Sequence, residues 1–236
     1  MMLVLFDVDK TLFLNSDPLM GQAMTAAIED VWGLKLSGDT IGKVNHAGQT
    51  ATRITRELLQ LEGLTAEEID AGLTRWCEVV SARYLELLAE TDTSDWLAPE
   101  GTAEALEQIE RRALLTGNPE PVARARIEKL GLAEFFPPGQ GAFGCDAEDR
   151  AELIDIARKR AGDWPREQTV AVGDTEADVS GAHRAGIRVI GFGPDPALAG
   201  ADAVVERMEE LPGALERLSA GPESSTLGLS ARRVGH

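Results

Sequence analysis

Two aspartates one residue apart, Asp7 and Asp9, stand at the end of the first apolar run in MLVLFDVDKT. Like charges that close disfavour each other's ionised form, so the pair needs a cation, a shared proton or full solvation. Two further polar clusters follow later apolar runs. Thr116 ends ALLT and is followed by Gly117 and Asn118. Asp174 and Thr175 follow TVAVG, with Asp178 one helical turn on. Asp174 and Asp178 are four residues apart, which puts both on one face of a helix. Hard oxygen ligands without nearby His or Cys suit Mg2+ rather than Zn2+. Thr-Gly-Asn at a helix start presents a hydroxyl and backbone N–H groups, which form a cradle for an anion. A metal-filled carboxylate cluster beside such a cradle suits a phosphate group; without the metal the carboxylates repel it.

The elements that must position these residues are short apolar runs. MLVLF (2–6), ALLT (113–116), TVAVG (169–173), IRVIGF (187–192) and DAVV (202–205) read as strands buried on both faces. The later ones alternate with helical patterns over 121–132, 147–162 and 176–186, which predicts an α/β fold with a parallel sheet covered by helices. In such sheets sites form outside the carboxyl ends of the strands, so the three clusters fall on one edge. Residues 16–96 read as helical throughout, with helices predicted over 17–33, 50–63 and 65–90. The last opens on a capping box, Thr65 to Glu68, and carries Ile69, Leu73, Trp76, Val80, Tyr84 and Leu87 or Leu88 as its apolar stripe. An all-helical block between the first strand and the alternating region predicts an inserted domain, with joints near Asn15–Pro18 and Leu97–Gly101. The expected organisation is a Rossmann-like core from 1–15 and 97–218, a helical insert over 16–96, and a loosely held tail over 219–236.

The chain has 236 residues, 43% of them apolar, enough for a real core. Its formal net charge is −17, from 40 acidic and 23 basic residues. That balance excludes nucleic acid and anionic membranes as partners, since both call for clustered Lys and Arg. No apolar run approaches a membrane span, and none reads as a signal peptide. The two cysteines, Cys77 and Cys145, lie far apart and form no CxxC pair. They argue against a disulfide framework or a zinc site and for a reducing compartment, hence a cytoplasmic protein. Oligomeric state is not legible.

DVDKT (7–11), LLTGN (114–118) and GDTEADV (173–179) resemble three signature motifs of the haloacid dehalogenase superfamily, in the same order and at similar spacing. The helical insert resembles the cap of its phosphoglycolate phosphatase-like members. The resemblance runs from about residue 2 to 215. It implies an Mg2+-dependent phosphatase acting on a small phosphorylated metabolite. Asp7 would be the nucleophile forming an aspartyl-phosphate, and Asp9 the general acid and then base. Asp7, the backbone carbonyl of Asp9, and Asp174 would hold Mg2+, with Asp178 supporting the metal shell. Thr116, Gly117 and Asn118 would grip the phosphoryl oxygens. An acid at position 9 favours phosphoryl transfer over dehalogenation, since a halide leaves without a proton.

One part departs from the family pattern. The usual lysine between the second and third motifs is missing; the only lysine between Leu132 and Thr169 is Lys159, inside a predicted helix. Arg150 sits nearest the expected place and takes that role, since its planar fork binds phosphate. Two alternatives stay open: a phosphomutase of the β-phosphoglucomutase type on the same scaffold, and a catalytically idle regulatory or binding member. His46, Gln49 and Arg53 of the insert either face a substrate or form an exposed loop entering a helix.

Overall fold

The computed structural model describes residues 1–220. Five parallel strands form one sheet in the order β2-β1-β3-β4-β5. They are β1 (Leu3–Phe6), β2 (Arg111–Leu114), β3 (Thr169–Gly173), β4 (Arg188–Phe192) and β5 (Ala203–Val205). β1 lies between β2 and β3, with Phe6 in register with Leu114 and Val172. The residues after these three strands therefore emerge side by side. Side chains alternate across a strand, and here both faces are covered. Val4 and Phe6 join one buried apolar cluster, Leu3 and Leu5 another.

Helices α5 (Thr102–Glu107), α6 (Glu120–Lys129), α7 (Arg150–Arg160), α8 (Glu176–Arg184) and α9 (Leu211–Ala220) flank the sheet. Between β1 and α5 the chain makes four helices: α1 (Pro18–Trp32), α2 (Gly38–Ile41), α3 (Ala51–Leu61) and α4 (Ala66–Ala89). These form the helical cap. α1 and α4 run antiparallel: Tyr84 meets Asp17 at one end, and the Trp32 indole donates to the Glu68 carbonyl at the other. α4 buries Ile69, Trp76, Val80, Tyr84 and Leu88 and opens on the Thr65–Glu68 capping box. The two chain crossings between cap and core lie side by side. Leu14 N–H donates to the Leu97 carbonyl, and the Asn15 amide spans Asp95 and Leu97.

Three differences from the sequence reading have physical causes. β2 starts at Arg111, two residues before its apolar run, because Arg112 turns its guanidinium onto the carbonyls of Leu106, Ile109 and Phe135. The helices α5 and α9 lie outside the helical patterns read from the sequence, being short, and α2 is a single turn within the all-helical block. The third is a correction: Cys77 of α4 and Cys145, in the loop before α7, form a disulfide with a Cα–Cα distance of 6.1 Å. They are 68 residues apart in sequence, but the cap folds back on that loop. With the pair bonded, cysteine usage no longer argues for a reducing compartment. Among the described residues no helix is long and apolar enough to cross a membrane. Beyond Ala220, the expected tail lies outside the described residues.

Candidate active site

Asp7 follows β1 directly, and its N–H donates to the Val172 carbonyl, so the sheet itself fixes its position. Its carboxylate is nearly buried, and Arg150 Nη2 donates to Oδ1 at 2.9 Å. Arg150 is the first residue of α7, whose N-cap is Asp149, and the same Nη2 also bonds Asp178. Asp178 sits in the first turn of α8, where Oδ2 accepts from the N–H and hydroxyl of Thr175 in a second capping box. Gly173 is required here, because a Cβ on it would collide with the Asp178 carboxyl.

One carboxylate oxygen from each of Asp7, Asp174 and Asp178 lies within 4.8 Å of the others. Burial pushes the Asp7 carboxyl well above its usual range, Arg150 opposes this, and Asp178, Asp9 and Asp174 add to it. Burial and Asp178 push Asp174 up to about 6. Among the described residues no side chain donates a hydrogen bond to Asp174. Crowded, under-compensated oxygen donors fit a hard divalent cation such as Mg2+. Asp178 is already engaged by Arg150 and Thr175, which leaves Asp7 and Asp174 as the carboxylates with oxygens to give.

Asp9 turns away from this triad. Its Oδ1 accepts from Arg126 Nη1 at 2.8 Å and its Oδ2 from the Asn118 amide. Arg126 also donates to Asp17 at 2.7 Å and to the Tyr84 hydroxyl at 3.1 Å, and Tyr84 in turn donates to Asp17 at 2.7 Å. Arg126 and Asp17 side chains are each 2% exposed. The network joins α6 of the core, the N-cap of α1 and the cap helix α4 to one carboxylate of the site. Sequence reasoning missed Arg126, Asp17 and Tyr84 as site residues. A signal was present: Arg126 stands on the same face of α6 as buried Val122, Ala123 and Ile127, where a charge needs a partner.

Thr116 is fully buried, and its hydroxyl accepts from the Asn118 N–H and side chain. Gly117 and Asn118 line the chamber between core and cap; Thr116 backs them without lining it. The cap is seated on this turn. Ala51 N–H, at the start of α3, donates to the Gly117 carbonyl at 2.8 Å, and a Cβ on Gly117 would run into the Gln49 carbonyl. Thr52 bonds the Gly144 carbonyl at 2.6 Å. His46 and Gln49 line the chamber together with Asp7, Asp9, Arg150 and Asp174. Arg53 does not; it pairs with Glu57 beside a neighbouring cleft.

Residues 1–186 match the model of the haloacid dehalogenase-like hydrolase family. Solved structures share the fold. β-Phosphoglucomutase from Clostridium difficile is 15% identical, with a TM-score of 0.65 over 93% of this chain and 97% of its own. A CbbY mutant from Rhodobacter sphaeroides in complex with xylulose-(1,5)bisphosphate is 19% identical, with a TM-score of 0.63 over 89% of this chain and 96% of its own. A predicted phosphoglycolate phosphatase from Haemophilus somnus is 19% identical, with a TM-score of 0.59 over 90% of this chain and 97% of its own. No curated protein matches the chain significantly. Because that family model spans residues 1–186, most of its length, the chain belongs to the haloacid dehalogenase-like hydrolase family.

Proposed function

We propose that this hydrolase is an Mg2+-dependent phosphatase that cleaves a small phosphomonoester through an aspartyl-phosphate. The observation that carries the reading is one chamber holding Asp7 against Arg150 and Asp174, with Asp9 two residues on and bonded elsewhere. Two carboxylates with separate partners can take separate roles.

Asp7 attacks phosphorus through a carboxylate oxygen, and the bond from phosphorus to the leaving oxygen breaks. Asp9 gives that oxygen its proton and later takes one from the water that attacks the aspartyl-phosphate, freeing phosphate and restoring Asp7. Arg150 and the Gly117 N–H hold the phosphoryl oxygens as charge builds on them, while the buried Thr116 hydroxyl, bonded by Asn118, fixes the turn from behind. Asp7, Asp174 and the Asp9 carbonyl would hold Mg2+, with Asp178 fixing Arg150 beside them. When bound, the ion neutralises the carboxylates and the phosphoryl charge. The cap covers the chamber and excludes bulk water.

Phosphate release from p-nitrophenyl phosphate, with Mg2+ and with EDTA, tests this reading. Turnover is expected with Mg2+ and its loss with EDTA. Asp7→Asn should abolish turnover and the phosphoenzyme without lowering the melting temperature; a phosphoenzyme retained in that variant refutes the mechanism. A mutase would return the phosphoryl group to a sugar, so hexose 1-phosphate giving an isomer in place of free phosphate would overturn hydrolysis.

A further inference from the structure

The chamber has a charged floor and an apolar roof. The floor is the strand-end edge of the core. The roof comes from the cap: Met20 and Met24 of α1, Ala51 and Ile54 of α3, and the loop residues His46 and Gln49. The cavity they enclose with the core is about 480 Å³. The seated cap described above makes this the closed lining. Gly48, at φ +66°, packs against Thr175 and Ala177 so closely that a Cβ would not fit.

The charges of the chamber can be accounted for one by one. Among the described residues, three Lys and Arg side chains line it: Lys10, Arg126 and Arg150. Arg126 is committed to Asp9 and Asp17, and Arg150 to Asp7 and Asp178. Lys10 has no carboxylate partner among the described residues; its exposed ammonium belongs to the floor and donates to the Leu14 carbonyl at 2.7 Å, on the core side of the chamber. Four carboxylates line the same space: Asp7, Asp9, Asp17 and Asp174. A divalent cation would sit on the floor between Asp7 and Asp174, and among the described residues the cap brings no Lys or Arg side chain to the roof, so a second anion held there meets no cation from above. A second phosphate or a carboxylate on the leaving group would face thioethers, an isoleucine, an amide and the His46 imidazole, with no fixed positive charge among them. An anion desolvated there, without a cationic partner, is strongly disfavoured. An uncharged alcohol with an apolar stretch meets a matching surface, and Gln49 and His46 can bond a hydroxyl or ether oxygen.

We propose that the substrate class is monophosphates of uncharged, partly apolar alcohols, and that the chamber rejects leaving groups carrying a second phosphate or a carboxylate. This rests on the phosphatase reading above.

The test is a panel assayed with Mg2+ for phosphate release. One arm holds p-nitrophenyl, butyl and glycerol monophosphates. The other holds phosphoglycolate, 3-phosphoglycerate and a pentose 1,5-bisphosphate. The best neutral substrate should exceed the best doubly anionic one in kcat/KM by tenfold or more, with the difference carried mainly by KM. Met20→Lys, which sets a cation on the roof at a partly exposed position, should narrow that ratio or reverse it. A bisphosphate or phosphocarboxylate that equals or beats every neutral substrate overturns the proposal while leaving the phosphatase reading intact. So does a Met20→Lys ratio that does not move. Phosphate release from neither arm overturns the phosphatase reading and this proposal with it.

Discussion

Arg126 holds three partners from three parts of the molecule, and one of them is Asp9. A carboxylate bonded at both oxygens presents one orientation, so the proton it handles is delivered along one line. Burial opposes the Arg126 charge, but Asp9, Tyr84 and Asp17 together hold its pKa above the ordinary value. Arg126→Leu strands Asp17, which is as buried as its partner. Breaking such a pair costs about 3–5 kcal/mol, read as a lower denaturant midpoint. Adding Asp17→Asn removes the stranded charge and should restore part of the loss. Asp174 gives a pH prediction. Its carboxyl titrates near 6 in the fold against an ordinary value of 3.8, with burial as the first cause and Asp178 next. The folded state therefore binds the proton more tightly than the unfolded one, and this contribution to metal-free stability is lost as pH rises from about 4 through about 6. Mg2+ needs the ionised form. The rise in melting temperature caused by Mg2+ should be larger at pH 7.5 than at pH 5, measured in parallel melts.

At the scale of elements, the strand-end clusters were legible because strand, polar residue and helix follow one another in sequence. Asp7, Asp174 and Gly117 could each be placed by reading a few neighbours. Arg150 needed more: its place beside Asp7 depends on α7 packing against α8, where its stem lies on Gly181. Arg126, Asp17 and Tyr84 were illegible as a group because their contacts cross 42 to 117 positions of chain. Local pattern shows that a buried arginine needs a partner; it does not show which. The seating of α3 on Gly117 is likewise a tertiary fact, and it gives an element-scale prediction. Gly117→Ala places a methyl against the Gln49 carbonyl and should lift the start of α3 from the core. Overpacking of this kind costs about 1–3 kcal/mol. We expect kcat/KM to fall about tenfold or more, mainly through KM, while far-ultraviolet circular dichroism stays unchanged.

At the scale of the whole molecule, the net charge of −17 is consistent with a site that needs its positive charge supplied by an ion. The cysteine pair is the feature that composition misled on, since sequence spacing cannot report that an inserted domain returns to the core. By chain-entropy reasoning, a cross-link over 68 residues stabilises by about 4 kcal/mol. Reduction with dithiothreitol should lower the melting temperature by roughly 10 °C, and Cys145→Ser should melt at the reduced value whether or not reductant is added. The bond also has a mechanical meaning. The two chain crossings are clamped together by Asn15, so they act as one pivot. The Cys77–Cys145 bond adds a second anchor elsewhere on the cap. A rigid body held at two points keeps a single rotation, about the line through them. Cutting the bond returns the other rotations, and with them every other path by which the chamber can empty.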